Sequence, residues 1–148
     1  MLGCGIPDTL PDLSVLIVEE NTNAVLGEDK VGEIWIRSGS KAKGYWNLPD
    51  ESESVFNGIP NEGDMPVPDM SAGGYVKTGD YGFLHRKELF VTGRVKDLII
   101  IRGRNHYPHD IERTLEDVVH EDTIVFRKGC SCAFSMPYQG EKFTTLHL

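Results

Sequence analysis

At 148 residues, with 39% hydrophobic and 26% charged residues, the chain is long enough for one ordinary domain or for pieces of two, and its composition excludes disordered and fibrous classes. A formal net charge of -8 repels a polyphosphate backbone, so general DNA or RNA binding is not expected. Cys4, Cys130 and Cys132 are an odd set without the spacing of a disulfide framework, no basic start precedes an apolar signal core, and no apolar run reaches membrane-span length, which reads as a cytosolic protein with no membrane span.

"LSVLIVEE" (Leu13 to Glu20) and "VGEIWIRS" (Val31 to Ser38) are rich in β-branched and aromatic residues and flank the turn-like "NTNAVLGEDK", which predicts paired strands. From "GYWNLPDES" to "SAGG" the Pro, Gly, Asn, Asp and Ser content predicts a long loop, with Val55 and Phe56 as a packed anchor. Trp35, Tyr45 and Trp46 are expected as core and loop anchors. "YGFLH", "RK" and "ELFVTG" then repeat strand, turn and strand, a hairpin.

"LIII" fits a short, fully buried strand, and "RGRN" turns the chain. Pro108 suits a first helical position, with Asp110 and Glu112 on the positive end of the helix dipole. Ile111, Leu115, Val118 and Val119 recur at helical spacing as one apolar, core-facing side. "CAFSM" and "FTTLHL" read as two further strands around "PYQGEK". The last of these reaches Leu148 with no polar stop, and Met1 stands almost directly before a strand-loop unit, so the chain reads as cut from something longer.

Chemistry concentrates in two stretches. In "YVKTGD" a Thr-Gly-Asp corner puts the Asp80 carboxylate at a tight turn, where it could hold two vicinal hydroxyls or satisfy only its own backbone. In "GRVKD" the antiparallel return of the hairpin brings Arg94 near Asp80, as a fork for sugar or phosphate oxygens or as a surface ion pair. Arg86, Lys87, Arg94, Lys96, Arg102 and Arg104 crowd one segment opposed by Glu88 and Asp97, which fits a local anion site or a solvated face better than a nucleic-acid groove. His85, His106 and His109 with Cys130 and Cys132 lack zinc-ligand spacing, so no metal site is assigned.

"VGEIWIRSGSKAKGYWN", "YVKTGDYGFL", "ELFVTGRVKDLIIIRGRNHYPHDIE" and "GCSCAFS" resemble consecutive motifs of the acyl-adenylate-forming superfamily, and the third is most similar to fatty acyl-AMP ligases. The resemblance implies an α+β fold in which residues 1–95 are the β-rich, barrel-like end of a large N-terminal domain and residues 96–148 begin a small C-terminal lid domain. It implies that a fatty acid attacks ATP to give acyl-AMP and pyrophosphate, and that the acyl group then passes to a thiol, possible acceptors being an acyl-carrier protein or, in an acyl-CoA synthetase, CoA. By the same resemblance Asp80 and Arg94 hold the ribose of the AMP moiety, Lys96 is the hinge, Gly103 and Asn105 belong to the lid loop, and Glu33 is structural. The glycine-rich phosphate loop, the segment serving ATP and Mg2+, the acyl pocket and the late catalytic lysine match nothing in this chain, so no catalytic residue is assigned and the chain alone is expected to be inactive. A non-catalytic adenylate-binding or interaction module is the alternative of a different class.

Overall fold

β-Branched runs separated by turns give this chain its first sheet. β1 (Ser14–Val18), β2 (Gly32–Arg37), β3 (Val76–His85) and β4 (Glu88–Arg94) pair antiparallel in that order. The computed structural model describes residues 3–10, 12–101, 104–118, 129–138 and 141–147. The chain divides into two units, Met1–Val95 and Lys96–Leu148.

In the first unit β1 and β2 pair as expected, with Val15 opposite Ile36 and Ile17 opposite Ile34. Ile34 and Trp35 are neighbours in β2, so their side chains point to opposite faces, yet both are buried. The second strand is therefore covered on both sides. Trp35 packs with Val18 and Tyr75, joined by Leu16 and Met70. Gly82 lies beside Ile34, where an added Cβ would meet Ile34 Cδ1 at 2.8 Å.

The stretch expected as a long loop contains a helix, α1 (Pro49–Phe56). Its Pro, Asp, Glu and Ser content disguised it, but Pro49 stands at the start and Asp50 and Glu51 in the first turn, where each is favoured. No residue of α1 is buried. It is held from outside instead: the Lys41 ammonium donates to the Phe56 and Gly74 carbonyls at 3.0 Å each, and Tyr45 meets the Phe56 ring edge-on at 5.1 Å. The anchoring of Phe56 is thus as expected, whereas Trp46 is 90% exposed and anchors nothing.

The expected hairpin is β3 and β4, closed by Arg86 and Lys87, both at positive φ, with Phe83 and Phe90 stacked across it. In the second unit β5 (Ile99–Ile101) and β6 (Arg104–His106) form another hairpin. Ile99 is buried but Ile100 is exposed, so this strand is covered on one side rather than fully buried. α2 (Pro108–Val118) begins at Pro108 as predicted. β7 (Cys132–Tyr138) and β8 (Glu141–His147) are the two last strands, antiparallel. Carboxylates of α2 grip the chain before and within β7: Glu112 accepts from the Ala133 N–H at 2.8 Å, and Glu116 from the Gly129 N–H at 2.9 Å and the Ser131 hydroxyl at 2.6 Å. The result is an α+β fold of antiparallel sheets with two α-helices among the described residues. None of these helices is long and apolar enough to cross a membrane.

Candidate functional site

Asp80 and Arg94 face each other across β3 and β4 as register partners, and Arg94 Nε donates to Asp80 Oδ1 at 3.1 Å. The contact is a single one through Nε rather than a two-pronged fork. Arg94 is 69% exposed and Asp80 33%, so the pair sits at the surface with the carboxylate as its more sheltered member. A pair this exposed contributes about 0 to 1 kcal/mol. Little is lost if the guanidinium turns toward another oxygen.

The backbone carrying Asp80 is less free. Gly79 has φ +71, a conformation glycine adopts without a Cβ penalty. Thr78 places its hydroxyl between two backbone groups, donating to the Ile34 carbonyl at 2.7 Å and accepting from the Asp80 N–H at 3.1 Å. The Gly79 carbonyl accepts from the Val95 N–H at 2.9 Å, and its N–H donates to Glu33 Oε1 at 3.0 Å. The other oxygen of Glu33 takes the Trp35 indole N–H at 2.9 Å. Glu33 was expected to be structural, and sequence reasoning missed its link to the Asp80 turn. One signal was available: Glu33 and Trp35 are two apart in a strand and so share a face.

Beside this turn, the Tyr81 hydroxyl bonds to the Glu20 carboxylate. Glu20 follows Glu19, which the Thr22 hydroxyl and N–H, and then the Asn21 side chain and N–H, hold down from the ordinary 4.5 to about 2. Asp64 is also lowered, by the Gly27 N–H and Lys30, and Asp69 by the hydroxyl and N–H of Ser71. These carboxylates fasten loops of the first unit.

In the second unit Lys96 is exposed and is that unit's first residue. Asn105 is exposed in β6, opposite Ile100. With Tyr107, Ile111 and Leu115 it lines an open, mostly apolar concavity of about 500 Å³ between β6 and α2. Ile111 and Leu115 are half-buried there and do not form the closed core expected of them. Gly103, Arg102 and Val119 lie outside the described residues.

The basic segment does not collect into one cluster within the first unit: Arg86 and Lys87 close the hairpin at one end of β4, and Arg94 ends the strand at the other. Arg104 is exposed in β6. His85 pairs with Asp29 at 2.6 Å and His109 with Asp110 at 3.3 Å. Among the described residues no three His, Cys, Asp or Glu side chains converge as a metal site would need, and the three cysteines are free and exposed.

No protein-family model matches the chain. Its relatives are nonetheless consistent in kind. It is 44% identical over 116 residues to the medium-chain-fatty-acid–[acyl-carrier-protein] ligase JamA of Moorena producens, covering 78% of this chain and 18% of that protein. It is 39% identical over 128 residues to the long-chain-fatty-acid–AMP ligase FadD32 of Mycolicibacterium smegmatis, covering 82% of this chain and 19% of the relative. The chain thus spans about a fifth of the length of the curated relatives it matches. Among solved structures it is similar to McyG A-PCP complexed with phenylalanyl-adenylate, at 28% identity and a TM-score of 0.72 over 98% of this chain and 22% of that one. ATP-bound MatB from Rhodopseudomonas palustris gives 26% identity and a TM-score of 0.67 over 93% of this chain and 24% of that one.

Proposed function

From the premise that the chain belongs to the acyl-adenylate-forming, AMP-binding superfamily, we propose that it is a stretch of a fatty acyl-AMP ligase whose Asp80 and Arg94 hold the ribose of the adenylate. On this reading residues 1–95 close the large domain and residues 96–148 open the lid. The observation that carries the reading is the juxtaposition of a half-buried carboxylate, next to the Gly79 turn of β3, with an exposed guanidinium directly across from it on β4.

The chemistry of the whole enzyme is the attack of a fatty-acid carboxylate oxygen on the α-phosphorus of ATP. A new P–O bond forms as the bond to pyrophosphate breaks, leaving acyl-AMP. A thiol then attacks the acyl carbonyl, its proton is lost, and AMP departs. This chain's residues supply binding rather than bond making. A carboxylate has two acceptor oxygens, which suit two vicinal hydroxyl donors, and Arg94 gives up a weak surface pair in exchange for ligand oxygens.

Lys96 would be the pivot between half-reactions, a role open to an exposed residue at the boundary of two units because its dihedral angles can change without disturbing a core. Asn105 and Gly103 would travel with the lid. Mg2+ finds no converging ligand set among the described residues, and no step here depends on one. The exposed free thiols suit a cytosolic setting. An acyl-carrier protein is the acceptor favoured by the likeness to JamA, and CoA is the competing acceptor, since fatty-acid–CoA ligases also stand among the relatives.

The test is ATP–pyrophosphate exchange driven by fatty acid, measured on a fatty acyl-AMP ligase relative in which residues 31–95 of this chain replace the matching stretch. Exchange should survive the graft, and Asp80→Asn should then lower it by about tenfold or more, the loss expected for a hydrogen bond to a charged group. A graft that exchanges equally well with and without the Asp80 carboxylate would sink the reading. A non-catalytic module predicts a graft that binds adenylate and never exchanges.

A further inference from the structure

Between the pairs Glu33–Tyr81 and Trp35–Lys77, β3 uses two more residues than β2. The excess falls at Thr78, Gly79 and Asp80. A bulge of this kind takes backbone groups out of the ladder, and they need other partners. The N–H of Gly79 finds its partner in a side chain, Glu33 Oε1 at 3.0 Å.

That carboxylate is itself fixed. Glu33 Oε2 receives the Trp35 indole N–H at 2.9 Å, and Trp35 is 1% exposed among Val18 and Tyr75. The Lys77 ammonium lies over the same ring at 4.9 Å from its centre. A continuous path therefore runs from the packed core through an indole and a carboxylate to the Thr78–Gly79 peptide, one residue ahead of Asp80. A charged acceptor makes both of its hydrogen bonds stronger than neutral ones.

We propose that Glu33 is a positioning residue for Asp80: its carboxylate, oriented by the Trp35 indole, sets the Thr78–Gly79–Asp80 bulge and so fixes where the Asp80 carboxylate points. The positioning follows from the bulge geometry, and only its consequence for nucleotide binding rests on the ribose reading above. Glu33 touches no substrate in this account. It acts through the Gly79 peptide.

The experiment uses the 148-residue chain, with NMR of isotopically labelled protein as the readout and AMP as the probe. Glu33→Ala should speed hydrogen exchange at the Gly79 amide by about tenfold or more and leave the β1–β2 ladder amides unchanged, since opening would be local. The Asp80 carboxyl and Arg94 Nε resonances should shift with it. Glu33→Gln keeps an acceptor oxygen and should restore most of the Gly79 protection. Trp35→Phe keeps an aromatic core residue but removes the indole donor, and should loosen Gly79 to an intermediate degree. Gly79, Asp80 and Arg94 signals that stay unchanged in Glu33→Ala and Trp35→Phe overturn the proposal, as does a loss of protection spread evenly over the sheet. The AMP titration separates the two readings. If Asp80→Asn abolishes the AMP response and Glu33→Ala does not weaken it, the positioning role fails and the ribose site stands. If wild-type Asp80 and Arg94 ignore AMP, the ribose site fails, and Gly79 exchange still decides the role of Glu33.

Discussion

Replacing Lys41 by Met would show how far α1 depends on a single side chain. α1 has eight residues, no buried member and no side-chain N-cap, and isolated helices this short are unstable in water. Lys41 supplies two hydrogen bonds of 3.0 Å, one to the last carbonyl of the helix and one to the Gly74 carbonyl just before β3. Hydrogen bonds from a charged donor contribute about 1.5 to 3 kcal/mol each, and the half-buried carbonyls recover part of that from water, so the net loss should be about 2 kcal/mol. Met preserves the apolar stem and removes only the donor. Urea titration followed by tryptophan fluorescence measures the total. Hydrogen exchange at the Ser52 and Asn57 amides, which bond to Leu48 and Glu53 within this helix, assigns it to α1. A loss below about 0.5 kcal/mol, within the range of ordinary surface substitutions, with exchange unaltered would show that α1 is held by something other than Lys41.

Gly82→Ala tests the tightness of the sheet: its Cβ would sit 2.5 Å from the Phe90 carbonyl oxygen and 2.8 Å from Ile34 Cδ1, so thermal unfolding should show a loss of about 1 to 3 kcal/mol. A variant as stable as the parent would mean that β3 and β4 separate more easily than their register implies. Glu19 gives a pH prediction. Its folded pKa is depressed to about 2, so its support for the Glu19–Ala24 turn is complete above the ordinary 4.5 and disappears as pH falls through about 2. Carboxyl ¹³C shifts should follow that midpoint, and Thr22→Val should raise it, because Thr22 makes the largest contribution.

Strands were legible where apolar residues recur without interruption, as in Val15 to Val18 and Ile34 to Ile36. α2 was legible from Pro108 and the spacing of Ile111 and Leu115. α1 was not, because it buries nothing and leaves no apolar period; its outside partners include Lys41, eight residues before the helix begins, and sequence patterns do not record such distant partners. The same limit applies to Ile111 and Leu115. Their spacing marks a side of the helix, and whether that side closes into a core or lines a concavity depends on what packs against it.

The candidate site depends on a detail that lies between those cases. An antiparallel return brings Arg94 into the neighbourhood of Asp80 by counting alone, but neighbourhood is not facing. The tip pairs His85 with Glu88, and an unbroken ladder from there would set Asp80 opposite Gly93 and Arg94 opposite Gly79. The two charged side chains would then lie on opposite faces of the hairpin, because a shift of one residue reverses the side to which each points. The ladder instead steps by one residue between Tyr81 and Gly82, with Thr92 as the extra residue on β4, and this puts Asp80 directly across from Arg94. A second irregularity, on the β2 side, is the one Glu33 spans. Asp80 and Arg94 meet because two bulges flank the same short stretch of β3. A sequence can announce such a site through its residue types, Thr-Gly-Asp and a following Arg, while the displacement that makes them converge is decided by backbone pairing.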